Sequence, residues 1–364
     1  MRKRILCMLM VVCLVMLSAT AMAAGEGTVI QKEKNRKIAV NGLGEDKKFP
    51  LNPVIPGQSP TTGLPWTGKY MPMIVQIDNN NGGIGDNMPW GAENADIIYE
   101  TPLHKGGYTR LSYLFSDVIP ESVGPVRSAR VTHVEIREEW DAGFLFYGGQ
   151  PSDGTSIFTA FRKTKASKKG ILFDGVVSES KPWKKYYKRV LTLPSPHNVD
   201  ANVLAMQALI PEDFTPPDRP YLFTDDLPVD GEMAKTIDIK QANDAYSSSF
   251  TYDSTTNTYL RFVNGEPYAD KATGTQLSFS NLIIQRNKVT YFEGSADRPV
   301  TVLIGSGNAD IFVGGRYIPG YWLRTGMDQR TVFFDQDGNE LKLQRGKTFI
   351  SIMDYSVPVT YFAE

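Results

Sequence analysis

Thr109-Arg110-Leu111-Ser112-Tyr113-Leu114-Phe115, followed by Gly124-Pro125-Val126-Arg127-Ser128-Ala129-Arg130 and closed by Trp140-Asp141-Ala142, is the stretch whose reading decides the fold. In the first segment Leu111, Tyr113 and Phe115 alternate with Arg110 and Ser112, the period of a strand with one apolar face. Beyond Gly124-Pro125 the period changes. Val126, Ala129, His133, Ile136 and Trp140 recur at spacings of three and four, which predicts a helical apolar stripe. Arg127, Arg130, Val134, Arg137 and Asp141 form the stripe beside it, so Arg127 and Arg130 are expected on the first helical turn.

Working outward, Pro72 to Ile77 and Ala95 to Thr101 read as strands. They are separated by the polar, glycine-rich run Asp78-Asn79-Asn80-Asn81-Gly82-Gly83. Gly106-Gly107 turns the chain into the strand at Thr109. Gly143 to Tyr147 returns to strand, Ser152 to Lys163 suits a helix capped by Ser152 or Asp153, and Asp200 is placed to cap a helix over 201–210. Strand, hairpin, helix and strand together indicate an α+β or α/β domain over residues 70–211. Five prolines within 211–233 mark a Pro-rich linker, bounded as 212–234. From there to residue 364 short strands and turns such as Gly314-Gly315 and Asp337-Gly338 indicate a mainly β C-terminal domain.

Residues 1–23 carry the pattern of a secretory signal peptide. Arg2-Lys3-Arg4 is basic, Ile5 to Leu17 is apolar and Ala21-Met22-Ala23 is a small-x-small cleavage site. Residues 24–69 read as an extended, partly disordered tether. Cys7 and Cys13 both fall in the signal, so the mature chain is expected to have neither disulfides nor thiol chemistry. Cys13 is a poor match to a lipobox, which favours free secretion to the envelope over lipidation. A chain of 364 residues, 22% charged and 41% hydrophobic, has room for two domains. Its formal net charge of -1 argues against nucleic acid as a partner. Arg2, Lys3 and Arg4 leave with the signal, giving a mature net charge of -4. No second apolar run is long enough to span a membrane.

The motifs resemble the YerB-like family of bacterial exported proteins of unknown function, whose members have an N-terminal and a C-terminal family domain. The resemblance is carried by Ile77-Asp78-Asn79, Ala95-Asp96-Ile97-Ile98-Tyr99-Glu100, Gly107-Tyr108-Thr109-Arg110, the run from Gly124 to Arg130, Trp140-Asp141-Ala142, Gly148-Gly149 and Pro196-His197-Asn198. In the second half it is carried by Tyr259-Leu260-Arg261, Asn281 to Gln285, Gly305-Ser306-Gly307 and Tyr321-Trp322-Leu323-Arg324. It covers roughly residues 70 to 360. The resemblance implies the layout and no particular activity. It also implies lipoproteins as common members, from which Cys13 departs.

The candidate site is an Arg/Asp cluster. Arg110, Arg127 and Arg130 are planar forks suited to phosphate or carboxylate, with Ser128 between them. Asp78, Asn79, Asp96, Glu100 and Asp141 either complete the site or pair the arginines internally. His197 and Asn198, in the rigid Pro194 to Asn198 loop, are the remaining ligand candidates. His133 lies on the apolar stripe and reads as a core residue. The Asp78 to Gly83 run lacks an acidic residue at the twelfth calcium-loop position, which is Pro89, so a turn is expected there and no metal. Tyr317, Tyr321 and Trp322 read first as β core and second as a stacking surface. The leading reading is an exported, envelope-associated protein binding an anionic envelope ligand through the Arg/Asp cleft, with envelope proteins as further partners. The competing reading is a metal-dependent phosphotransferase acting on a polyprenyl-pyrophosphate-linked envelope polymer. It is similar in residue type to the LytR-CpsA-Psr phosphotransferases, with magnesium held by Asp78 or Asp96. A structural partner protein, its arginines all internally paired, is the third.

Overall fold

The computed structural model describes residues 27–30, 40–152, 154–240 and 246–364. The signal peptide, residues 24–26 and 31–39 of the tether and the capping role considered for Asp153 lie outside the described residues.

One eleven-stranded sheet runs through both halves of the chain. Its order is Glu232–Met233, Arg316–Arg324, Gly305–Val313, Asn281–Asn287, Thr348–Asp354, Ile97–Pro102, Thr109–Phe115, Met73–Asp78, Gly143–Phe146 and Leu172–Asp174, with Val332–Phe334 added on Arg316–Arg324. The halves meet where Thr348–Asp354 pairs in parallel with Ile97–Pro102, Thr348 opposite Ile97 and Ser351 opposite Glu100. The strands in the middle are buried on both faces, and their sequences explain it: Met73, Val75 and Ile77 enter one core while Ile74 enters the other.

Three helices complete the N-terminal half: α1 (Val131–Trp140), α2 (Ile157–Lys163) and α3 (Val203–Gln207). α1 and α2 cover one face of the sheet through Val134, Ile136, Trp140, Ile157 and Phe161. Trp140 also donates its indole N–H to the Tyr99 hydroxyl at 2.8 Å. The opposite face is covered by α3 and by a second, seven-stranded sheet that brings in Ile237, Ile239, Phe250, Tyr259 and Val263. The protein is therefore mostly β, with helices on one face and sheet on the other. The two cores are each built from both halves.

Several expectations are corrected. α1 begins at Val131, five residues later than the apolar stripe implied, with Arg130 as its extended N-cap. The reason is backbone pairing. Asp78 N–H donates to the Pro125 carbonyl at 2.9 Å, Arg127 N–H to Gln76 at 2.8 Å and Ala129 N–H to Gly148 at 3.0 Å, so residues 125–129 are held extended against strand ends. Asn202, whose side chain accepts from Ala205 N–H at 2.8 Å, caps α3 in place of Asp200. Asp200 instead accepts from the Trp90 indole at 2.7 Å and the Ser122 hydroxyl at 2.6 Å. Ser156, not Ser152, caps α2.

The expected tether is anchored within its described part at Phe49 and over residues 59–63, which are buried. Phe49 stacks on Phe334 with ring centroids 5.2 Å apart, and Ser59, Thr61 and Thr62 are buried against the Asp96 and Asp117 carboxylates. Hydroxyls able to satisfy the buried Asp96 and the half-buried Asp117 hold this polar stretch down. The Pro-rich segment is packed too: Leu222–Thr224 pairs with Lys342–Gln344, and Tyr221 lies in the core beneath α1. The first reading of the tyrosines near Arg316 holds for Trp322, which is buried with its N–H on the Arg286 carbonyl at 2.8 Å.

Candidate functional site

The ends of three extended segments converge above α1. Asp78 closes the Met73–Asp78 strand and stands opposite Arg110 in register. Both side chains project from the face that carries Ile74 and Leu114, by the two-residue period of a strand. Arg127 and Arg130 come from the extended run ahead of α1. His197 comes from the 194–198 loop, which Asn198 stabilises by donating to the Leu193 carbonyl at 3.1 Å and accepting from Arg189 at 2.7 Å.

Asp78 is the hub. Its Oδ2 is hydrogen-bonded to His197 Nδ1 and lies 3.5 Å from Arg127 Nε; its Oδ1 lies 3.8 Å from Arg110 Nη1. The arginine contacts are longer than a charge-assisted hydrogen bond, which closes at about 2.7–2.9 Å. Accordingly Nε and Nη1 of Arg110 and Nε of Arg127 are buried with no hydrogen-bond partner among the described residues. Arg130 is better held: Nη1 donates to Ser128 Oγ and to the Ala129 carbonyl, each at 3.1 Å. The three arginines, Asp78 and His197 line a cavity of about 230 Å³, together with Asn79, Leu103, His104, Tyr108, Thr109 and Asp297.

The electrostatics follow from this crowding. Burial, opposed by Asp78 and reinforced by Arg127 and Arg130, pushes the Arg110 guanidinium down to about 9. Burial likewise lowers Arg130. His133 sits behind them, fully buried, with Nδ1 accepting from Arg130 N–H at 2.9 Å and Nε2 2.9 Å from Thr101 Oγ1. Burial and the neighbouring Arg110 and Arg130 drive its pKa well below the ordinary imidazole value. It is a neutral core residue, in keeping with its place on the apolar stripe. The cavity thus has three cationic side chains around a single buried carboxylate, an arrangement that lowers the energy of an incoming anion.

Four of the expected site residues fall elsewhere. Asp96 lies near the other end of the sheet, accepting from Thr61 Oγ1 at 2.9 Å and Ser116 N–H at 2.7 Å. Burial and the nearby Asp117 push it up to about 7. Glu100 points to the opposite face, because strand side chains alternate, and accepts there from Thr109 at 2.8 Å and Tyr246 at 2.7 Å. Asp141, at the far end of α1, pairs with Arg137 and with Lys169 at 2.7 Å. Asn198 braces the loop and does not line the cavity. Ser128 orients Arg130.

Family models match over most of the chain. Residues 61–213 match "Protein of unknown function (DUF3048) N-terminal domain", and residues 237–350 match the C-terminal domain of the same description. The chain belongs to this family. It is 25% identical over 304 residues to the Bacillus subtilis protein named "Putative lipoprotein YerB", which covers 81% of this chain and 86% of that one. Its fold is similar to the crystal structure of the Bacillus subtilis YerB protein, with a TM-score of 0.68, 23% identity and coverage of 83% of this chain and 99% of that one. The YerB-like resemblance carried by the motifs is thereby established, with its N-terminal and C-terminal parts.

Sequence reasoning missed His104, Tyr108 and Asp297 on the cavity wall. Tyr108 and His104 flank the Gly106-Gly107 turn just ahead of Arg110, so proximity to that arginine was an available signal. Asp297 had none. It arrives from the C-terminal half on the hairpin of Val289–Tyr291 and Pro299–Thr301, where its carbonyl accepts from Arg130 Nε at 3.4 Å. Among the described residues, no group of three or more His, Cys, Asp or Glu is arranged to hold a metal ion. No helix of the described residues is long and apolar enough to cross a membrane.

Proposed function

We propose that this chain is an exported, envelope-associated protein that binds an anionic group of an envelope ligand between Arg110, Arg127 and Arg130. The observation that carries it is the buried Arg110, which lines a cavity with two more arginines and whose Nε and Nη1 lack protein partners among the described residues. An unpaired buried cation costs several kcal/mol (of order 3–5) unless something compensates it. A phosphoryl or carboxylate group bridging the forks would supply the missing acceptors. The envelope setting is supported by the signal-peptide pattern and by the lipoprotein description of the Bacillus relative.

Binding is favoured over phosphoryl transfer because, of the two carboxylates considered for magnesium, Asp96 stands apart from the cavity and Asp78 is engaged by His197, Arg110 and Arg127. The wall also offers Leu103 as its lone aliphatic side chain, where a polyprenyl chain would need an apolar groove. The deciding experiment is isothermal titration calorimetry of the chain with sulfate and with pyrophosphate, with and without magnesium, repeated on Arg127→Ala. Metal-independent binding that the variant loses is expected. Absence of binding to either anion sinks the proposal, and binding that requires magnesium transfers it to the phosphotransferase reading.

A further inference from the structure

A second hollow, of about 280 Å³, adjoins the arginine cavity and shares His104, Tyr108 and Thr109 with it. Its chemistry differs. In place of guanidinium groups it has Tyr291, Val289, Met353 and Val357 on one side and Lys105, Asp354 and Ser356 as polar groups. The shared wall is a tight turn: Gly107, at φ 88, reverses the chain so that Leu103 N–H donates to the Tyr108 carbonyl at 2.8 Å. This leaves Tyr108 half-buried between the two spaces. Lys105 Nζ lies 5.4 Å from the centroid of the Tyr291 ring.

We infer that the two hollows form one bipartite site for a sugar phosphate, its phosphoryl group among Arg110, Arg127 and Arg130 and its ring beside Tyr108 and Tyr291. This rests on the anion-binding reading and adds the class of group attached to the anion. Together the spaces reach the size of an ordinary small-molecule site, roughly 300–1,000 Å³, whereas a bare inorganic anion would fill the arginine cavity alone. The mixed lining selects the class. Tyrosine faces suit the C–H face of a ring, and an ammonium, a carboxylate and a hydroxyl around the same space suit ring hydroxyls. An unsubstituted hydrocarbon would displace water from the exposed Lys105 ammonium and Ser356 hydroxyl and offer them no hydrogen bond in return, at a cost.

Calorimetry on the full chain with inorganic phosphate, glucose 1-phosphate and phenyl phosphate tests this. Glucose 1-phosphate is expected to bind at least about tenfold tighter than phosphate, the margin of one good additional contact set. In Tyr291→Ala and, separately, Lys105→Ala that margin should shrink below about threefold, with phosphate affinity unchanged. Lys105 is exposed, so its variant keeps the test available if the tyrosine variant folds poorly. Equal binding of phosphate and glucose 1-phosphate overturns the sugar subsite and leaves the anion site standing. A larger margin for phenyl phosphate overturns the hydroxylated ring. No binding of any of the three overturns the anion reading and this inference with it.

Discussion

The two ends of α1 carry arginines in opposite circumstances. At the C-terminal end Arg137 is fully buried, donates Nε to the Ala142 carbonyl at 3.0 Å and pairs with both Glu138 and Asp141. Lys169 joins Asp141 at 2.7 Å, and Arg219 donates to the Glu138 carbonyl at 2.8 Å. Every charge there has a partner at hydrogen-bond distance, and cations also suit the negative end of the helix dipole. At the N-terminal end Arg110 and Arg127 share Asp78, at 3.5 Å or more, while Arg130 has the exposed Asp297 near it. The same residue types build a closed lock at one end and a loosely paired cluster at the other. What separates them is whether the carboxylates match the cations in number and reach.

The largest test of that contrast is Arg137→Ala. It strips a buried pair of one partner, so chemical denaturation should show a loss of about 3–5 kcal/mol, while sulfate affinity of the folded protein stays as it was. A loss under about 1 kcal/mol would show that the lock is not one. The converse variant is Arg127→Ala. Its side chain is 26% exposed and repelled by Arg110 and Arg130, so stability should move by less than about 1 kcal/mol. Sulfate affinity should drop about 10–100-fold, the worth of a charge-assisted hydrogen bond of roughly 1.5–3 kcal/mol. If stability falls and affinity does not, the two ends of α1 are alike after all.

The contrast was only half legible in the sequence. Arg110, Arg127 and Arg130 could be grouped because a strand period and a motif brought them together. The open question there, pairing or ligand, turned on which acids face them. That depends on register and face. Glu100 is one strand position from Thr101, which stands opposite Arg110, and it points away, since one residue in a strand reverses the side chain. Asp141 shared a helical stripe with Arg130 but lies three turns away along it. The strands themselves were legible from alternation. The joint between Thr348–Asp354 and Ile97–Pro102, which merges the halves into one sheet, was not, because no local pattern encodes a parallel pairing across about 250 residues of chain. Burial of residues 59–63 escaped for a related reason: their anchors are acids far along the chain.

Asp96, which stands apart from the arginine cavity, offers a middle-sized effect. Its carboxyl is pushed up to about 7 by burial and by Asp117. A folded pKa above the unfolded value of 3.8 means the folded state holds the proton more tightly, so stability is lost as pH rises between about 4 and 7 and the penalty is complete above it. Asp96→Asn keeps an acceptor for Thr61 and Ser116 and removes the charge. At pH 8 it should stabilise the protein by roughly 1–2 kcal/mol, with a gain that shrinks as pH falls toward 4, and sulfate affinity should not change. A pH-independent gain would mean that something other than ionisation is responsible.

The smallest effect probes the arginine cavity through a proton of its own. Arg110 sits at about 9 because burial and two neighbouring guanidinium groups disfavour its charge. Its folded pKa lies below the unfolded one, so the unfolded chain holds the proton more tightly above about 9 and deprotonation there relieves the folded state. An anion binds the charged form. Sulfate keeps its charge throughout this range, so its affinity should be flat from about pH 7 to 8 and fall about fourfold by pH 9.5, following the fraction of Arg110 still protonated. Arg110→Gln should bind more weakly at pH 7.5 and lose that alkaline decline. An equal decline in the variant would assign it to other groups, and a flat profile in the wild-type chain would mean that Arg110 keeps its proton and that Asp78 compensates it more fully than 3.8 Å implies.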